Sequence, residues 1–227
     1  MSRGETERLA AIADNLANGS TPGYKRVLVV TRPFDKAVDA AQLEAGTTHA
    51  VDFTQGPLTP TGRPLDFALK GNGFFVVEHN GTPLYTRNGQ FTVTADGALT
   101  TLDGLPVQGE DGDISIPDKI TASDITVEND GTLRAGNTTI GRLRLASFAN
   151  PKDLVRVGPS RFSAPATAVP AEAEDTEVAN GMLEGANSSV FEEMSEMIVA
   201  MRSFEACQKM LKARDRADEL TIEKLAV

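Results

Sequence analysis

Two histidines, one cysteine and a scatter of carboxylates are the residues of this 227-residue chain that could do chemistry. His79 stands beside Asn80-Gly81, a tight-turn dipeptide that leaves its neighbours in water, and His49 has no adjacent group to orient it as a general base. Glu110, Asp111 and Asp113 offer oxygen ligands to a divalent ion, but their spacing is not that of an EF-hand loop and fits a hairpin tip better. Gly19-Ser20-Thr21-Pro22-Gly23 lacks nucleophile-elbow spacing, and Gly71-Asn72-Gly73 lacks the third glycine of a dinucleotide loop, so both are read as turns. Cys207 has no partner for an internal disulfide and reads as an ordinary helix thiol. We therefore expect no catalytic residues, no cofactor and no metal.

Composition narrows the partners. A net charge of −10 and an isoelectric point near 4.7 argue against a nucleic-acid surface, which needs clustered Lys and Arg. No apolar run approaches the roughly 18 residues of a membrane span. Glu5, Glu7 and Arg8 fall where a secretory signal would need its apolar core, so no cleavable signal peptide is expected. The remaining partners are proteins.

The elements that must position these residues are of two kinds. Val190 to Leu225 contains no Pro or Gly, and Val190, Met194, Met197, Met201, Phe204 and Leu211 recur at steps of three and four, which predicts one long helix with an apolar seam. The seam drifts to Ala213, Ala217 and Leu220 further on. Ser189 with Glu192 makes a capping box. Near the N-terminus, residues 5–18 form a short amphipathic helix with Leu9, Ile12, Ala13 and Leu16 on one side, ending at Asn18-Gly19. It is too short to be stable alone and must dock.

Between the helices the pattern is β. Asp35 to Ala45 reads as a weak helix or a loop. From residue 65 short apolar runs such as Phe74 to Val77 alternate with Asn80-Gly81, Asn88-Gly89, Asp96-Gly97, Asp103-Gly104, Asp111-Gly112 and Asp130-Gly131. The fold class is α+β: a discontinuous helical domain of paired N- and C-terminal helices, with an inserted antiparallel all-β domain. The expected boundaries are 1–30 and 178–227 for the helical assembly domain, 31–64 for an extended connector, 65–162 for the β domain, and 163–177 for an Ala/Pro-rich linker.

Three ordered motifs resemble the bacterial flagellar rod and hook proteins. The first is Asp14-Asn15-Leu16-Ala17-Asn18 with Thr21-Pro22-Gly23-Tyr24-Lys25. The second is Leu65-Asp66-Phe67-Ala68-Leu69 with Gly71, Gly73, Phe74 and Phe75, then Tyr85-Thr86-Arg87-Asn88-Gly89-Gln90-Phe91. The third is Gly181-Met182-Leu183-Glu184 with Asn187, Glu193-Met194, Met197-Ile198, Arg202, Phe204-Glu205 and Lys209; Met201 lies within it. The lack of a long inserted domain looks unlike the hook protein, and Gly181-Met182-Leu183-Glu184-Gly185 with the overall size looks most like a proximal rod subunit, a distal rod one being next.

The resemblance implies a structural subunit of the basal-body rod, the torque-transmitting shaft that crosses the periplasm. It implies assembly with itself and other rod subunits through Asn15, Leu16, Asn18, Thr21 to Tyr24 and the third motif. It also implies passage through the flagellar type III export apparatus, and a first helix that in relatives extends ahead of Glu7. Two readings of other classes compete: an adhesin-like extracellular oligomeric binding module, and a hydrolase working with Asp and Glu pairs of the β domain.

Overall fold

A computed structural model describes residues 3–31, 47–117, 120–173 and 175–225. The expected weak helix or loop at Asp35 to Ala45 lies outside the described residues. Two helices, α1 (Arg3–Ala17) and α2 (Val190–Leu225), flank a large antiparallel β region, so the chain is α+β. It divides into two compact units, one comprising residues 1–17, 27–50 and 189–227, the other residues 18–26 and 51–188.

In the first unit α2 runs uninterrupted for 36 residues, about 54 Å at 1.5 Å per residue. Its start is set by Ser189: the hydroxyl accepts the Glu192 amide at 3.5 Å, and the carbonyl accepts the Glu193 amide at 2.9 Å. The reciprocal carboxylate bond of a full capping box is absent among the described residues. The covered line of α2 keeps Met197 and Phe204 of the expected seam and departs from it at Val190, Met194 and Met201. Glu193 is buried, and Met197, Ala200, Phe204 and Cys207 are half-buried, while Val190, Met194 and Met201 are exposed. Small side chains at Ala200 and Cys207 let this line sit closer to its surroundings than the bulkier methionines do. On α1 the buried positions are Ala11, Ile12 and Asn15, with Leu9 and Leu16 half-buried; Ala13, expected inside, is exposed. Arg8 lies 4.0 Å from Glu196. Val27–Thr31 and Thr47–Val51 make a two-stranded sheet.

The second unit is built around a six-stranded antiparallel sheet in the order Val155–Arg156, Arg161–Ser163, Thr82–Thr86, Phe74–His79, Leu145–Ser147, Ala171–Glu172. Its central hairpin turns at Asn80-Gly81, with φ of 51° and 76°, as the dipeptide predicts. The run Phe74-Phe75-Val76-Val77 is apolar throughout because the strand separates two cores. Phe74 and Val76 point to one side with Tyr85, Phe148 and Phe162, and Phe75 and Val77 point to the other with Phe67, Leu69, Phe91 and Leu133. Edge-on ring contacts knit each side, Tyr85 to Phe148 at 4.8 Å and Phe75 to Phe91 at 5.2 Å between centroids.

A three-stranded sheet, Ile125–Val127, Thr132–Ala135 and Thr138–Arg142, packs into the second core. Four strand pairs complete the unit. Two of them join distant parts of the chain: Leu58–Pro60 with Met182–Glu184, and Phe67–Lys70 with Glu177–Asn180. The expected linker at 163–177 thus carries strand Ala171–Glu172 and buried Ala173 and Thr176. Strand pairing reaches on through residue 184.

Phe75→Ala is expected to lower stability by about 3–5 kcal/mol, because its ring is fully enclosed. Phe191→Ala on α2, where 84% of the residue is exposed, should change stability by less than about 0.5 kcal/mol. Urea melts of the two variants, read at the β unit, check the contrast.

Candidate functional site: a buried ionic node

The turn after α1 brings a lysine into the β unit. Pro22 fixes its own dihedral and Gly23 takes φ of 68°, so the chain reverses at Thr21-Pro22-Gly23; the Thr21 amide bonds to the Asn18 carbonyl at 2.9 Å. A side chain at Gly23 would collide with the backbone nitrogen of Asn88, which makes glycine obligatory there. Tyr24 and Lys25 follow, both fully buried.

Lys25 Nζ donates to Glu184 Oε1 at 2.6 Å and to the Thr54 carbonyl at 2.7 Å. The other carboxylate oxygen, Glu184 Oε2, accepts Arg87 Nη1 at 3.3 Å, while Arg87 Nη2 donates to the Gly71 carbonyl at 2.7 Å. The Gly56 amide completes the set, donating to Glu184 Oε1 at 2.9 Å. The three side chains are between 0% and 3% exposed. Glu184 is itself held by strand pairing to Leu58 and by the Gly23 amide, which donates to its carbonyl at 2.7 Å. The Arg87 guanidinium also lies 5.0 Å over the Phe74 ring.

Asn187 binds the same segments a few ångströms of chain away. Its Oδ1 accepts the Arg26 amide at 2.6 Å, and its Nδ2 donates to the Asp52 carbonyl at 2.8 Å and the Thr54 carbonyl at 3.1 Å. Arg156 covers the Tyr24 ring at 4.6 Å. In the helical unit Asn15 plays a comparable part, its amide bonding both backbone groups of Val27, at 2.9 and 2.8 Å.

The second motif supplies turns and walls. Gly71, at φ of 119°, and Gly73 let the chain pass close to Asp175 and Thr176, and a side chain at Gly89 would strike the Phe67 carbonyl. The Thr86 hydroxyl donates to the Ser160 carbonyl at 2.7 Å and accepts the Asn88 amide at 3.0 Å. Leu65, Phe74, Tyr85 and Phe91 are core residues. Asp66 is buried, with Arg63 at 3.8 Å. From the third motif, Arg202 and Glu205 are exposed on α2 and do not join the node.

The sequence places Arg87 in the second motif and Lys25 and Glu184 in the first and third, but does not show that the three meet. The available signal was charge embedded in apolar chain: Lys25 after Tyr24 and Glu184 after Met182-Leu183. Burial lowers the Lys25 pKa from its ordinary 10.5, with the Glu184 charge pulling it back up, and burial likewise lowers that of Arg87. The node is enclosed, with both Glu184 oxygens and both terminal nitrogens of Arg87 bonded, a structural clamp rather than a substrate site. Of the other candidates, His79 is exposed next to the hairpin tip. Glu110 and Asp111 form the turn of another hairpin, where Glu110 accepts Arg142 Nη1 at 2.9 Å and Asp113 accepts Gln108 Nε2.

The clamp thus draws together the three motifs singled out by the sequence, and the same stretches are matched in known proteins. Residues 68–135 match the flagellar hook protein FlgE/F/G D1 domain, and residues 179–222 match the C-terminal domain of the flagellar basal body rod FlgEFG proteins. The flagellar basal-body rod protein FlgF of Salmonella typhimurium is 37% identical over 93% of this chain and 91% of its own length. FlgF of Caulobacter vibrioides is 31% identical over 96% of this chain and 91% of its own length. FlgG of Agrobacterium fabrum is 34% identical over 96% and 93%. These matches define the class, the hook and rod proteins of the bacterial flagellum. Within it the chain belongs to the flagellar basal-body rod protein family, and it is most like FlgF, then FlgG. Proteins of this family are structural rather than enzymatic.

Glu184→Gln leaves two buried cations without their carboxylate and should cost about 3–5 kcal/mol, whereas Lys25→Met, Arg87→Met and Glu184→Met combined should be close to neutral. Chemical denaturation of both variants decides this; equal losses would mean that packing, not charge, sets the node's energetics. A lowered Lys25 pKa means that the unfolded chain binds more protons between the folded value and 10.5. The stability of the native protein relative to Lys25→Met should therefore rise with pH across that window and level off above it, as read from urea midpoints at successive pH values.

Proposed function

We propose that this chain is a structural subunit of the flagellar basal-body rod, in which α1 and α2 pair as one terminal assembly unit and α2 packs against neighbouring subunits. The observation that carries the reading is the surface of α2. Phe191, Met194, Ile198 and Met201, at steps of three and four, form an exposed apolar stripe beside the covered line. A stripe of this kind is costly in water and is buried when subunits stack head to tail into a filament that does not close.

The partners are other copies and related axial subunits, and the site is the rod as it crosses the periplasm. Delivery through the flagellar export apparatus is the route that this reading implies. The likeness to FlgF favours a proximal position over a distal one. Asn15, Asn187 and the clamp serve assembly indirectly, by fixing the turns at which the helices leave. The adhesin-like and hydrolase readings gain nothing from the family.

The test is to replace Phe191 and Ile198 together by Ser. The isolated protein should keep its stability to within about 0.5 kcal/mol, since neither side chain is covered. Its recovery in purified basal bodies should fall by at least tenfold. Normal incorporation would remove the stripe from the assembly surface.

A further inference from the structure

The second unit is closed by its own C-terminal segment. Strands Leu58–Pro60 and Phe67–Lys70 have as their strand partners Met182–Glu184 and Glu177–Asn180, and among the described residues no strand nearer in sequence takes those places. Val178 is a core residue, packed with Phe67 and Leu69. The Val178 amide also bonds to the Asn129 carbonyl at 2.9 Å, tying this strand to the turn of the three-stranded sheet. Glu184 delivers the carboxylate for Lys25, 159 residues earlier in the chain, and for Arg87. Asn187 fixes the strand entry at Arg26 and the bend at Asp52 and Thr54.

A chain that ends before residue 177 therefore faces two deficits at once. Leu58–Pro60 and Phe67–Lys70 lose their ladder partners, and Lys25 and Arg87 cannot enter the interior, because a buried cation without its counter-charge is costly against the marginal stability of a domain. We propose that residues 177–187 are the closing element of the β unit, so that residues 18–26 and 51–176 cannot reach their native packing until that segment has been made.

The trigger has two parts, a strand and a charge. The strand supplies hydrogen bonds and Val178, and the charge converts two excluded cations into core components. Because most closing contacts span more than a hundred residues, loop closure is deferred as well. One consequence rests on the rod reading: a subunit that must pass through an export channel benefits from remaining open while it is made. The folding order itself stands independently of that reading.

The full reading frame, stalled on the ribosome so that either residue 175 or residue 190 has just emerged, gives the direct test by limited proteolysis. Protease resistance of the β unit should appear only at the later stall, with cleavage at least tenfold slower than at the earlier one. Glu184→Gln at the later stall should remain cleaved as fast as the earlier native chain. The combined Lys25→Met, Arg87→Met, Glu184→Met variant should regain resistance there, since it needs no counter-charge. Resistance already present at the earlier stall would overturn the proposal, as would native-like protection of Glu184→Gln or failure of the triple variant to recover. Absence of the native chain from purified basal bodies, with the folding order intact, would instead count against the rod reading alone.

Discussion

The interaction on which the rest depends is one carboxylate shared by two cations in the interior. Glu184 receives Lys25 on one oxygen and Arg87 on the other, and each cation gives a further bond to a backbone carbonyl. The arrangement works because the hydrogen-bonding capacity of the carboxylate is also met by the Gly56 amide, leaving no oxygen bare. An ion pair of this kind contributes little net stability over apolar packing, yet it discriminates strongly against any arrangement in which one member is missing. It is a device for specifying which segments meet. Here it specifies that a turn near the start, a β-turn in the middle and a strand near the end must converge.

That convergence explains three of the glycines. Gly23 lets the first turn approach Asn88, Gly89 lets the middle turn approach Phe67, and Gly56 lets the chain cross Gly185 with backbone against backbone. Each is a place where two chain segments cross closely, so removing the side chain at the crossing permits the charges behind it to meet. Packing and electrostatics are coupled through these few crossings rather than through the cores alone.

Much of the architecture was legible in the sequence for local reasons. The bounds of α2 follow from an unbroken helix-compatible run and a serine before it, and the Asn80-Gly81 hairpin follows from the dihedral demands of its turn. The apolar character of Phe74 to Val77 was readable, but not that the strand divides two cores, since both faces being covered is a property of the surroundings. The stretch 163–177 read as a linker because a two-residue strand at a sheet edge leaves no period to detect. The seam on α2 was displaced in part from the expected one because apolarity predicts what can be covered, whereas small residues such as Ala200 decide what is covered. The site was the least legible part. Lys25, Arg87 and Glu184 each look like a polar residue at a turn or strand end, and only pairing across the length of the chain reveals them as one object.

The central hairpin ends in a turn with room at its tip: a side chain added at Gly81 would meet open space. Asn80 and Gly81 already hold the positive dihedrals that a type I′ reversal requires, so the strands below are set by their own ladder. A short epitope or fluorophore-accepting peptide spliced between these two residues would extend from the tip of the hairpin, beyond the end of its strand ladder. The fold therefore carries its own attachment point for visualising the subunit inside living cells.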